Sequence, residues 1–447
     1  MKKGIIISIV LMVLFAFYSG CIEDNKSKTT EKTNSEIALE FITEIQHENL
    51  DVAYTYFSQL MKSQFSLNQF QTTWDTITSL YGNFESIKDT SESVEDGYDI
   101  VFVNCTFSNG YYIIFKIVFY DSKEIEGFWT ERIDTIISYT KPDYVNTSSF
   151  SEYEITIGTD PWELPGTISI PNGDGLFPCI ILVHGSGPND RDETIGPNKP
   201  FKDIAWGLAS NGIAVLRYDK RTKIYSNEIA SDLNFTVKEE VINDALAAFD
   251  FLRNYEKIDS KNISVLGHSL GAMMAPKIAS IQQNISKIIM LAPPARPLED
   301  LIYNQTIYLA EVDGIIDENE SIAIKEIEDA IEKIKTLNFS EDEQVLNAYK
   351  AYWEYLKNYD QVEVAKALDL PIFILQGKRD YQVTYEDDFF IWNSSISNKS
   401  NVLLKAYTNL NHLFMPSNET SIYTEYFEED HVVVEVINDI IDFIIQK

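Results

Sequence analysis

Ile263-Ser264-Val265-Leu266-Gly267-His268-Ser269-Leu270-Gly271-Ala272 holds a strand, a turn and the start of a helix in one short stretch. Its first residues are apolar and β-branched, the mark of a buried strand. Gly267-His268-Ser269-Leu270-Gly271 follows, a G-x-S-x-G pattern. From Ala272 to Gln282 the residues suit a helix, Pro276 apart. The glycines let the chain turn without a Cβ in the way, and the serine Oγ is left exposed at the tip. Ser269 is therefore the candidate nucleophile.

Working outward from that stretch, strands and helices alternate from Glu152 onward. Tyr153 to Gly158 and Gly166 to Pro171 form a leading hairpin. Cys179 to His184, Ile213 to Tyr218, Ile263 to Gly267, Ile288 to Leu291, Ile372 to Leu375 and Val402 to Ala406 are further strands. Helices are predicted over Phe201 to Ser210, after the Thr236-Val237-Lys238-Glu239 capping box, and from Val432 to Ile445. This order predicts an α/β fold: a doubly wound, mostly parallel sheet with helices on both faces. Between Ala295 and Leu368 the strand pattern lapses. Ser321 to Leu337 and Glu343 to Asn358 read as helices, the second rich in aromatics: Tyr349, Tyr352, Trp353 and Tyr355.

Residues 152–447, carrying these motifs in this order, resemble the α/β-hydrolases, of the branch that includes esterases and serine aminopeptidase-like proteins. The resemblance implies a helical lid at 296–368 and the chain order Ser, then Asp or Glu, then His. A serine hydroxyl needs an adjacent base. Of the five histidines, two follow Ser269. His412 sits on the loop after the last strand, where the base belongs, and His431 opens the last helix among acidic residues. The acid belongs on the loop after Ile372 to Leu375, which places Asp380 there, with Glu386 and Asp387 as alternatives. The oxyanion donors would be the backbone N–H groups of Leu270 and Ser186, the latter in His184-Gly185-Ser186-Gly187. His184 itself is read as structural.

The loop Asn189 to Thr194 and the segment Arg217 to Arg221 are rich in charge and lie at the carboxyl ends of strands, where ligands bind. They are read as bridging one another, or as offering Arg191 to a substrate carboxylate. Tyr352 and Trp353 would form an apolar roof over an acyl or aryl group.

Ser35 to Lys141 has a different pattern. Helical periodicity comes first, through Ile37, Phe41 and Ile42, then Ala53 and Phe57. The Ser66-Leu67-Asn68-Gln69 capping box opens a helix to Tyr81. Strands follow at Tyr98 to Ser108 and Tyr111 to Tyr120 around Asn109-Gly110, a hairpin signal, and at Ile125 to Ile137. Helices ahead of an antiparallel sheet make a small α+β domain. Its element order and the Gly127-Phe128-Trp129 strand resemble the nuclear transport factor 2-like class. Residues 142–151 read as a polar linker. His47 reads as a solvated helix end.

The N-terminus opens with Lys2-Lys3, then an apolar run from Ile5 to Tyr18 that suits a signal-peptide core. Tyr18-Ser19-Gly20-Cys21 resembles a lipobox, with Cys21 the lipidated residue, and 22–34 is a polar tether. An uncleaved anchor and simple secretion are the alternatives, and all three place the rest of the chain outside the cytoplasm. Asp and Glu total 69 against 36 Lys and Arg, a net charge of −33, which argues against a nucleic-acid partner. Cys105 and Cys179 are expected to be buried thiols, and no metal-ligand spacing or cofactor motif is present. The expectation is a membrane-tethered serine hydrolase acting on a small ester, or a short peptide in the aminopeptidase reading. A non-catalytic envelope binding protein is the remaining alternative.

Overall fold

The computed structural model describes residues 32–95, 97–120, 123–135, 139–417 and 421–446. The expected leader, Cys21 and the start of the tether lie outside them. The chain divides into two compact units, 1–138 and 139–447.

In the first unit, helices Asn34–Gln46, Leu50–Thr55, Gln59–Gln64 and Leu67–Tyr81 precede an antiparallel sheet. Its strands are β1 (Phe84–Glu95), β2 (Tyr98–Phe107), β3 (Tyr111–Phe119) and β4 (Ile125–Thr135), in that spatial order. The Ser66 capping box forms as the sequence implies: Gln69 N–H donates to Ser66 Oγ, and Gln69 Oε1 accepts from Ser66 N–H. The β2–β3 turn needs Gly110, whose φ is +80°. β1 was not expected. Its sequence is polar because it is an edge strand with one neighbour, and most of it faces solvent. The core between helices and sheet mixes aliphatic residues such as Ile42, Val103 and Ile113 with a cluster of aromatics. Phe41 meets Phe128 edge-on at 5.0 Å between centroids, and Phe57 meets Phe70 at 5.2 Å.

The second unit is built on an eight-stranded sheet. Its strands are β5 (Phe150–Ile157), β6 (Leu164–Pro171), β7 (Phe177–Val183), β8 (Ala214–Tyr218), β9 (Ile258–His268), β10 (Ile288–Leu291), β11 (Ile372–Gly377) and β12 (Val402–Tyr407). The spatial order is β12-β11-β10-β9-β7-β8-β6-β5. From β12 to β8 every pairing is parallel, and β6 and β5 join antiparallel. Strand alternation sorts the core onto two faces. Ile181, Val183 and Val265 pack with helices Asn243–Leu252 and Leu270–Ile281. Ile180, Leu182 and Leu266 pack on the other face with Pro200–Ala209 and Val434–Ile445. Burial on both faces is why these strands read as continuous apolar runs.

Two further expectations change in the structure. The helix drawn from Glu343 to Asn358 is confined to Lys350–Lys357. Leu346 and Asn347 take positive φ, +49° and +61°, and end any helical path before it. The segment drawn as a linker is part of the second unit's surface packing. Tyr144 Oη donates to the Val432 carbonyl at 2.8 Å, and Val145 packs with Phe150 and Ala209. Just ahead of that segment Tyr139, drawn at the end of the first domain, falls in the second unit and donates to Asp203 Oδ1 at 2.6 Å.

Candidate active site

The strand β9 delivers Ser269 at its carboxyl end. Ser269 adopts φ +52° and ψ −117°, a backbone conformation that L side chains rarely hold. Its own N–H donates to the Leu291 carbonyl, and its carbonyl accepts the first helical hydrogen bond, from Met273 N–H. Both motif glycines are required by close approach. A Cβ on Gly267 would lie 2.3 Å from the Gly271 backbone, and one on Gly271 would lie 2.1 Å from the Val183 carbonyl oxygen. The turn is thus locked between the strand and the following helix, with Leu270 supplying that helix's first N–H, which has no carbonyl behind it in helical geometry.

Asp380 and His412 come together from the loops after β11 and β12. His412 Nδ1 lies 2.7 Å from Asp380 Oδ2, and both groups are buried. The carboxylate is held on every side. Its Oδ1 accepts from the N–H groups of Gln382 and Val383, and its Oδ2 also accepts from Gln376 Nε2 at 3.1 Å. The His412 loop is tied by Asn411, whose Oδ1 accepts from the N–H groups of Leu413 and Met415. Glu386 and Asp387, the alternative acids, face solvent one turn further on. His431 lies elsewhere, with Nδ1 3.2 Å from Asp203 Oδ2, which raises its pKa.

The loop after β7 lies against the nucleophile. A Cβ on Gly185 would sit 3.2 Å from Ser269 Cβ. Ser186 is exposed at this point and Gly185 is buried. His184 is buried between Phe201 and Tyr218, at 5.0 and 5.2 Å between centroids. Burial pushes its pKa down to about 4, so the ring is neutral and acts as packing.

A second imidazole–carboxylate pair stands behind the first. His268, within the elbow, has Nδ1 3.0 Å from Glu193 Oε2, in ion-pair range but off the hydrogen-bond direction. Its Nε2 lies 3.0 Å from the His412 carbonyl oxygen, and its ring centroid is 4.6 Å from that of His412. Glu193 Oε1 accepts from Gly185 N–H at 2.7 Å. Burial opposes charge on both groups, yet their mutual attraction prevails: the His268 pKa is raised and that of Glu193 is lowered. This pair therefore ties the elbow, the base loop and the loop of Gly185 together. Sequence reasoning missed it. The available signal was an acid in the charged loop after Gly185 and a histidine inside the elbow.

The remaining charges bridge one another. Arg191 contacts Asp219, Glu154 and Thr167. Arg217 pairs with Asp192 and Glu152, and Arg221 with Asp244. Tyr352 Oη donates to Glu240 Oε2, and Trp353 Nε1 donates to the Val345 carbonyl at 2.8 Å. Arg191, Tyr352 and Trp353, all expected near substrate, thus have their polar atoms engaged by the protein. Arg296 and the fully buried Asp388 fasten the start of the 296–368 segment to the loop after β11.

Residues 180–420 match the family described as "Serine aminopeptidase, S33". The chain belongs to that family of α/β-hydrolases. Esterase EstD of Thermotoga maritima is 38% identical over 400 residues, covering 90% of this chain and 92% of that protein. Residues 38–128 match a protein family of unknown function, DUF3887. Among solved structures, Est1E from Butyrivibrio proteoclasticus is 16% identical at a TM-score of 0.42, covering 65% of this chain and 96% of that one. Pyrococcus horikoshii acylaminoacyl peptidase is 14% identical at 0.44, covering 75% and 53%. As a member of this family the chain is a serine hydrolase.

Proposed function

We propose that this serine hydrolase cleaves a carboxylic ester through an acyl-enzyme on Ser269. The observation that carries the reading is the buried 2.7 Å pair of His412 and Asp380 beside a strained serine elbow. Ser269 Oγ attacks the carbonyl carbon while His412 Nε2 takes its proton. The oxyanion accepts hydrogen bonds from the N–H groups of Leu270 and Ser186. The C–O bond to the alcohol then breaks, and the alcohol leaves with the proton from His412. A water molecule repeats the sequence on the acyl-enzyme and releases the acid. Asp380 keeps His412 in the tautomer with its proton on Nδ1 and stabilises the imidazolium as it forms. The esterase relative supports an ester over a peptide bond.

We place the enzyme outside the cytoplasm, anchored at the membrane through Cys21 and the tether. Support comes from the basic start, the apolar run and the small residues before Cys21. Among the described residues no helix is long and apolar enough to cross a membrane.

A fluorophosphonate probe should label Ser269, and Ser269→Ala should abolish labelling and lower nitrophenyl ester hydrolysis by about 10⁴-fold or more. Full activity in that variant would refute the acyl-enzyme. Faster turnover of aminoacyl anilides than of esters would turn the reading to a peptidase. Cys21→Ser should release the protein from membranes or leave a precursor. An unchanged mature mass and membrane fraction would point to an uncleaved anchor.

A further inference from the structure

Gly185 is gripped by two buried charges of opposite sign. Its N–H donates to Glu193 Oε1, and its carbonyl oxygen accepts from Lys220 Nζ, each at 2.7 Å. Lys220 follows β8 and is 2% exposed. Its ammonium is also paired with Glu240 Oε1 at 2.5 Å. The other oxygen of Glu240 accepts from Tyr352 Oη at 2.7 Å. Tyr352 lies on helix Lys350–Lys357 of the 296–368 insertion. A continuous chain of short polar contacts thus runs from the insertion to the loop beside Ser269.

The geometry of a peptide group gives this chain a meaning. In a trans peptide the C=O of one residue and the N–H of the next lie in one plane and point in opposite directions. Fixing the Gly185 carbonyl therefore fixes the Ser186 N–H. A cation on the carbonyl oxygen also polarises the group and strengthens its N–H as a donor. Burying a lysine is costly unless its charge is used. A role confined to packing would be met by an apolar side chain of the same length.

We propose that Lys220 is a positioning residue of the oxyanion hole, orienting the Gly185–Ser186 peptide toward the developing oxyanion, and that Glu240 and Tyr352 make this grip depend on the insertion. The inference rests on Ser269 as nucleophile and Ser186 as donor.

The test is made on the full-length enzyme with a nitrophenyl ester. Lys220→Met, and Lys220→Met combined with Glu240→Gln to avoid a lone buried carboxylate, should lower kcat by about 10²- to 10³-fold with KM changed by less than about threefold. Affinity for an alkylboronic acid, which forms a tetrahedral adduct on the serine, should fall in step with kcat/KM. Affinity for the carboxylic acid product should hold. Tyr352→Phe should show the same split at about threefold to tenfold. A folded Lys220 variant with near wild-type kcat, or equal losses for boronate and product, would overturn the proposal. If neither Lys220 variant folds, an unchanged kcat in Tyr352→Phe overturns it. A wild-type enzyme inert on esters, or an active Ser269→Ala, would sink the functional reading and this inference with it. An active wild type, an inert Ser269→Ala and an unaffected Lys220→Met would sink this inference alone.

Discussion

The two units solve the problem of a stable interior in opposite ways. Among the described residues, every buried Asp, Glu, Lys, Arg and His belongs to the second unit. The first buries Phe41, Phe57, Phe70 and Phe115 and, of its polar residues, Ser58, Thr76 and Thr106. Burial of aromatic and aliphatic side chains, with no charge among them, holds this small α+β core. Buried charges are costly and must be matched partner by partner. In the second unit the buried Glu193, Lys220, His268 and Asp380 lie at the loops that carry Ser269 and His412, where groups must be aimed, while the buried Asp203 and Glu320 serve the fold elsewhere.

The largest effect that tests this contrast is on Asp380. Asp380→Asn should lower kcat by about 10⁴-fold, because the amide favours the wrong imidazole tautomer, whereas the solvent-facing Glu386→Gln should leave kcat nearly unchanged. Comparable losses from both variants in steady-state kinetics would dissolve the distinction between buried and exposed carboxylates. In the first unit, Phe41→Ala should cost about 3–5 kcal/mol of that unit's stability in denaturant unfolding, with kcat on a small ester unchanged. A kcat loss beyond about tenfold would mean that the first unit takes part in catalysis.

The smallest effect expected is a change in pH slope. His268 has a folded pKa raised above its ordinary 6.5, after burial and the opposing pull of Glu193 are combined. Its contribution to stability is therefore complete below pH 6.5 and is lost as pH rises through the folded value. Glu193 has a lowered pKa, so its share is present above its ordinary 4.5 and is lost as pH falls through the folded value. His268→Gln should lower Tm, since Glu193 loses its countercharge, and should flatten the decline of Tm above pH 6.5. A parallel decline in both proteins would show that His268 is neutral in the fold.

The sequence made the elbow legible because the whole device is local: strand, glycines and helix are contiguous. Asp380 and His412 could be located because each follows a recognisable apolar strand. What resisted reading was pairing across distance. Glu193 with His268, and Lys220 with Glu240 and Tyr352, join residues separated in the chain; the charged loops were read as bridging one another, with nothing local to name these partners. β1 was hidden by its edge position, and residues 142–151 by a polar composition that masks the anchoring of Tyr144 and Val145. The shortened aromatic helix carried no glycine or proline to mark where Leu346 and Asn347 turn.

Two thiols among the described residues carry a practical consequence. Cys105 and Cys179 are free and buried, one in each unit, and burial drives both pKa values up. Alkylation needs an accessible thiolate, so neither sulfur reacts until its own surroundings open. Among the described residues each unit thus holds one silent reporter. A maleimide pulse followed by digestion and mass analysis would time the breathing of each separately, in a single sample, with no label engineered in.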